Sequence, residues 1–179
     1  MKDLVLEAKN GNKEAFTQLI LNIKNDLYKI CVTRLNNEHD IDDAIQETML
    51  QAYEKIHQLH DNSKFKAWTI KILINNCNLI YKRKKKTILL NDENNIFEYL
   101  EKSENLGNIN LIENTLDFYK LISGLTYKEK IILILYYAED FSINEISKIL
   151  NMNENTVKTK IRRAKEKIKS KIEGGVKIG

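Results

Sequence analysis

The sequence predicts an all-α protein built from two small helical domains, and three observations carry that prediction. The 179 residues include no proline and only six glycines, a composition that suits long helices and argues against a β-sandwich. Apolar residues recur at helical spacing wherever a pattern is clear. Charge also divides the chain. Residues 1–81 alternate helical stripes with short Asn/Gly/Asp breaks and end in the basic run Lys82-Arg83-Lys84-Lys85-Lys86. Asn91 to Asp117 then carries seven acids against Lys102 alone, before the apolar pattern tightens again from Phe118. We therefore expect domains at 1–87 and 118–179. An acidic linker at 88–117, too polar to bury much surface, joins them, with a short helix around Ile96 to Leu100.

In the first domain the opening MKDLVLEAKNGNKEAF has acids and no long apolar core, so it does not read as a secretory signal. The segment from Asp40 to Leu59 carries an apolar stripe of Ile41, Ala44, Ile45, Met49, Ala52, Ile56 and Leu59. Asp40 suits its N-cap, with Asp42 and Asp43 in the first turn where the helix dipole favours negative charge. Asp42, Asp43, Gln46 and Glu47 are left crowded on the polar surface. Two readings stand here: a solvated acidic patch, or a docking surface for a basic protein partner. Catalysis fits poorly, because general acid–base work needs a paired group in a desolvated pocket, which a polar helix surface does not offer. After a break at His60-Asp61-Asn62-Ser63, Phe65, Trp68, Ile70, Ile72 and Leu73 continue at helical spacing, which makes Trp68 and Phe65 core rather than a base-stacking platform. Lys64, Lys66, Lys71 and the run from Lys82 give that helix a cationic face. The polar loop before it is the expected place for specific contacts.

The second domain leads from Leu121, Leu125, Ile131, Ile132, Ile134 and Leu135 into Ser142 to Ile172, the most informative stretch of the chain. Ser142 and Glu145 form a capping box. Ile143, Ile146, Ile149 and Leu150 make a stripe, and Asn151 tolerates the left-handed turn that follows. Asn153 caps a second helix whose Val157, Ile161, Ala164, Ile168 and Ile172 face inward, leaving Asn155, Lys158, Thr159 and Arg162 opposite. This is a helix-turn-helix with a basic recognition helix. A basic amphipathic helix also suits a membrane surface. The short capped helix before it and the mix of amide, hydroxyl and guanidinium donors favour DNA. Thr156 to Lys177 holds nine Lys/Arg and two Glu, enough to meet several phosphates.

Other classes are excluded by composition. No apolar run approaches the roughly 18 residues of a membrane span, so no membrane insertion is expected. Cys31 and Cys77 sit in apolar helical settings and read as buried reduced thiols. No metal, cofactor or small-molecule substrate is expected.

These features together resemble the extracytoplasmic-function sigma factors, the smallest members of the sigma-70 family of bacterial RNA polymerase specificity subunits, over nearly the whole chain. Gly11 with Ala15-Phe16 matches the family's opening helix pattern. Asp40, Asp43, Gln46, Glu47 and Thr48, with Ala52-Tyr53 after them, match its D-A-E-D-hydrophobic-V-Q-E-T segment. Phe65, Trp68, Ile72 and Asn75 match F-x-x-W-L…I-A-x-N, and Lys82-Arg83 its basic end. Leu125, Tyr136-Tyr137, Glu145-Ile146, Ile149-Leu150, Thr156-Val157-Lys158-Thr159-Lys160 and Arg162-Arg163-Ala164 match the region ending in T-V-K-S-R-L…R-A. The last motif is shared with response-regulator output domains; both sets in order are specific. Departures are Thr69 for a leucine, Leu79 for a common aspartate, Ser147 for alanine and Asn151 for the turn glycine.

The resemblance implies a cytoplasmic, non-enzymatic protein that docks on core RNA polymerase and reads promoter DNA. Asp42, Asp43, Gln46 and Glu47 would meet the β′ clamp helices, and the β flap would be a second polymerase contact. His60, Asp61, Asn62, Ser63 and Lys64 would capture a flipped base of the −10 element, which requires a shaped pocket to offset a few kcal/mol of unstacking. Lys66, Lys71, Lys82 and Arg83 would lie on the adjoining duplex. Asn153, Asn155, Thr156, Lys158, Thr159 and Arg162 would face the −35 element, while Lys160 and Arg163 hold phosphates. The acidic linker would run through the active-site and RNA-exit region. An anti-sigma factor that masks both domains is a further implied partner. The rival readings are a free-standing helix-turn-helix regulator and a protein-binding adaptor. The first leaves the acidic patch and second basic surface idle; the second needs no mixed recognition face.

Overall fold

The computed structural model describes residues 1–87 and 120–175, and the expected linker and its short helix lie outside them. The described residues form helices and turns without a strand. The chain divides into two compact units, Met1–Glu93 and Asn94–Gly179.

In the first unit, α1 (Lys2–Lys9) packs against α2 (Lys13–Cys31) through Val5 and Ala8. The reversal between them needs φ +92° at Gly11, a left-handed value that costs a side-chain-bearing residue energy. Asn12 then caps α2 by accepting the Ala15 N–H at 3.1 Å. Leu19, Ile23, Leu27 and Ile30 form the buried face of α2, each contributing about 1.5–3 kcal/mol by leaving water. They meet α3 (Glu38–Lys55), which continues as a 3₁₀ turn at Ile56–Gln58, and α4 (Phe65–Thr87). Helices α3 and α4 run antiparallel. Asp40 pairs with Lys84 at one end (2.7 Å), while Asn76 Nδ2 donates to Thr48 Oγ1 (3.0 Å) midway.

The start of α3 differs from expectation. Asn37, not Asp40, is the N-cap, and Asp40 donates its backbone N–H to the Asn37 side chain at 3.4 Å. The helix therefore begins three residues early, which moves Asp42 and Asp43 to its second turn. Asp40 is buried instead, with the Lys84 ammonium as its counter-charge.

In the second unit the described chain resumes at Lys120. Thr126 starts α5 (Tyr127–Leu133), and the Glu129 carboxylate accepts from both its N–H and its hydroxyl at 2.9 Å. The helix then widens into a π turn, Ile134–Ala138, closed by the Glu139 N–H on Ile134 O at 3.1 Å. Asp140 follows with φ +54°. Helices α6 (Ile143–Leu150) and α7 (Glu154–Gly175) complete the unit. Ile131, Ile132, Leu135, Ile146, Val157 and Ala164 form its core.

Candidate nucleic-acid interface

The turn between α6 and α7 is built as its sequence dictates. Glu145 accepts from the Ser142 N–H (3.1 Å) and hydroxyl (2.8 Å), and Asn151 takes φ 51°, ψ 52°. Asn153 Oδ1 accepts the Asn155 N–H at 2.8 Å. Val157, Ile161 and Ala164 are buried, whereas Asn153, Asn155, Thr156, Lys158, Arg162 and Arg163 are exposed and Thr159 and Lys160 half-buried. One helix face thus presents amide, hydroxyl and cationic donors together. The expected apolar stripe fades at its far end, with Ile168 half-buried and Ile172 50 % exposed. One nitrogen of the Arg162 guanidinium pairs with Glu166 one turn on, at 2.7 Å, and the side chain stays exposed.

Glu129 links α5 to α7. Its carboxylate, buried at the start of α5, pairs with Lys167 of α7 at 2.7 Å. Burial alone would raise the Glu129 pKa. The Lys167 ammonium and the two Thr126 donors outweigh it, leaving the pKa lowered to about 2. Below α7, Leu121, Leu133, Tyr137, Ile168 and Ile172 line an open apolar groove of about 380 Å³, rimmed by Lys165, Lys169 and Glu173. The sequence reading missed this groove, although the apolar stripe running on to Ile172 was its signal.

In the first unit Asp42, Asp43, Gln46 and Glu47 are all exposed on α3. His39 lies 3.1 Å from Asp43, and a hydrogen bond to its own backbone together with that carboxylate raises its pKa. The Gln51 amide donates to Glu47 at 2.6 Å. The structure therefore brings the four residues to one accessible face.

Within the loop before α4, side chains bond to the backbone and to one another. Asp61 Oδ1 accepts the Ser63 N–H at 2.9 Å and its hydroxyl at 2.6 Å, and caps a 3₁₀ turn at Asn62–Lys64. These bonds, aided by Lys64 and Lys2, lower the Asp61 pKa and keep it ionised. His60, Asp61, Ser63 and Lys64 are exposed and Asn62 is half-buried. Lys71, Lys82 and Arg83 are exposed on α4, but Lys66 is half-buried against Asp26 of α2 at 2.7 Å. Phe65 is fully buried, while Trp68, expected in the core, is half-buried beside it, ring centroids 6.2 Å apart. Thr69 fits a buried position because its hydroxyl donates to Phe65 O at 2.9 Å, and Leu79 is 51 % exposed. Among the described residues no cluster of His, Cys, Asp or Glu is placed to hold a metal. No described helix is long and apolar enough to cross a membrane.

Fold and site define a class: an all-helical protein in which a capped helix-turn-helix follows a separate unit with its own acidic and basic faces. Residues 19–87 match the family description Sigma-70 region 2, and residues 115–168 match Sigma-70, region 4. The chain is 30% identical over 155 residues to the ECF RNA polymerase sigma factor SigM of Bacillus subtilis, covering 85% of this chain and 91% of that one. It is 28% identical over 180 residues to SigW of the same organism, covering 96% of both. Its fold is similar to the sigma factor RpoE of Bartonella quintana, solved with the anti-sigma factor NepR. That likeness has a TM-score of 0.67 and 21% identity, covering 88% of this chain and 96% of that one. The chain belongs to the extracytoplasmic-function sigma factors of the sigma-70 family, the subunits that bind core RNA polymerase and direct it to promoters.

Proposed function

We propose that the two units divide promoter recognition between them, residues 1–87 serving the polymerase and the −10 element and residues 118–179 the −35 element. In this reading Asp42, Asp43, Gln46 and Glu47 dock on the β′ clamp helices. Their exposure on one face of α3 supports it. The loop His60 to Lys64 takes a flipped −10 base, with Lys71, Lys82 and Arg83 along the duplex. Lys66 adds its charge while anchored on Asp26. On the second unit Asn153, Asn155, Thr156, Lys158, Thr159 and Arg162 read the −35 element, and Lys160 and Arg163 grip phosphates. The apolar groove beneath α7 is left for the β flap. An anti-sigma factor covers these faces when the protein is idle; RpoE of Bartonella quintana was solved in complex with one. The chain works in the cytoplasm and catalyses no reaction of its own, polymerase doing the chemistry.

One observation carries this reading over a free-standing regulator. A separate compact unit exposes an acidic face, an ordered polar loop and a basic helix that a lone helix-turn-helix would not need. Core-polymerase binding followed by run-off transcription tests it. A chain that binds duplex DNA alone with nanomolar affinity and never associates with core enzyme overturns it.

A further inference from the structure

We infer that Lys9, in a helix otherwise remote from promoter recognition, is a positioning residue that decides which edge of Asn62 the −10 DNA meets. This rests on the reading of His60 to Lys64 as the −10 loop.

Lys9 closes α1, whose Val5 and Ala8 are spent on packing against α2. Its half-buried ammonium crosses to the loop and donates to two acceptors, the Leu59 carbonyl and Asn62 Oδ1, the latter at 2.6 Å. The two acceptors flank His60 and Asp61, so one cation pins both ends of the segment. Helix α1 also packs on the turns either side of it. The Asp61 side chain bonds to Ser63 and its carbonyl accepts the Lys64 N–H at 3.0 Å, contacts within the loop that shape the turn.

The chemistry of the pair has a further consequence. A primary amide carries an acceptor oxygen and a donor nitrogen of nearly equal size, and a flip exchanges them. An ammonium has three donors and no acceptor. It therefore admits only the oxygen of Asn62, leaving Nδ2 as the group the amide offers elsewhere. Asn62 is half-exposed, so the loop presents a donor, and the base edge it selects is one offering an acceptor. Without Lys9 the amide is released to flip, and the site loses its reason to prefer acceptor over donor at that base.

Polymerase core loaded with each variant provides the test, read on promoters randomised across the −10 element and by permanganate footprinting. Lys9→Met is expected to slow opening by about ten- to a hundredfold, the scale of a misplaced contact. It should also relax base preference at one −10 position, the same position relaxed by Asn62→Ala. Lys9→Arg, which keeps a donor-only head, should restore the preference. Core binding and affinity for −35 duplex should not change. Should Lys9→Met fail to load onto core, Lys9→Gln, whose shorter side chain falls short of both acceptors, carries the same measurement. Slowing that is uniform across all −10 sequences overturns the positioning role. If Asn62→Ala alters the −10 profile and the Lys9 variants do not, the Lys9 inference fails alone. If neither alters it, the reading of the loop falls, and the inference with it.

Discussion

Glu129→Gln isolates the ion pair that seats the recognition helix. The side chain remains an acceptor for the Thr126 N–H, so the cap of α5 largely survives, but the charge facing Lys167 is lost. The wild-type pKa falls from an ordinary 4.5 to about 2, which corresponds to a ceiling of about 3 kcal/mol at neutral pH. Lys167 is half in solvent, and screening brings the expected loss to about 1–2 kcal/mol. The sign is set by a depressed carboxyl. Its stabilisation is complete above the unfolded value and is lost as pH falls through the folded one, so the gap between wild type and variant should close between about pH 4.5 and pH 2. Urea unfolding followed by circular dichroism measures this. The sole tryptophan, Trp68, lies in the first unit, and its fluorescence serves as an internal control that should not move. Equal stabilities at pH 7, or a gap undiminished near pH 3, would refute the assignment.

Charge reversal of Asp43 and Glu47 to Lys should abolish core-polymerase pull-down with helical content unchanged, since both side chains are exposed; unchanged pull-down would sink the docking assignment. Arg162→Ala should cost roughly 1–3 kcal/mol at one −35 position if the guanidinium reads a guanine. A uniform loss over all sequences in a binding titration would assign it to phosphate instead. Thr48→Val removes the acceptor of the buried Asn76 amide and should destabilise the first unit by about 1–3 kcal/mol in Trp68-monitored unfolding. Cys31 and Cys77 lie with sulfurs 3.6 Å apart and fully buried; their mutual hydrogen bond, with burial, pushes the Cys31 thiol pKa upward. Neither should react with an aromatic disulfide reagent at pH 8 until denaturant is added, and prompt native reaction would contradict that.

The features legible in the sequence were those decided within a few residues. The Ser142–Glu145 box, the left-handed Asn151 and the Asn153 cap are local chemistry, and each stands where its spacing put it. At α3 the local rules pointed to Asp40 as the cap, whereas Asn37 takes that place. The Asp40 that this earlier start buries is paired with Lys84, 44 positions away in sequence, a contact that local spacing does not show. The π turn at Ile134–Ala138 was hidden because the apolar run from Ile131 to Leu135 gives no phase against which an extra residue shows. Lys66 on Asp26 and Lys9 on Asn62 are contacts of separate helices, and periodicity carries no information about them. Trp68 was assigned to the core by spacing, yet it is only half-buried.

The Arg162–Glu166 pair belongs to a pattern. Lys66, Lys84, Lys167 and Lys169 also carry a carboxylate of their own, on Asp26, Asp40, Glu129 and Glu173. Ions released from DNA normally make binding steeply dependent on salt, by close to one power of concentration per phosphate met. A cation already matched within the chain trades one anion for another, and part of that exchange is independent of the solution. Salt then weakens the competing internal pair along with the external one. Promoter binding by this protein should accordingly fall less steeply with ionic strength than its count of lysines and arginines suggests. Where such a cation meets a phosphate, its carboxylate on α2, α3, α5 or α7 is a tethered competitor for it.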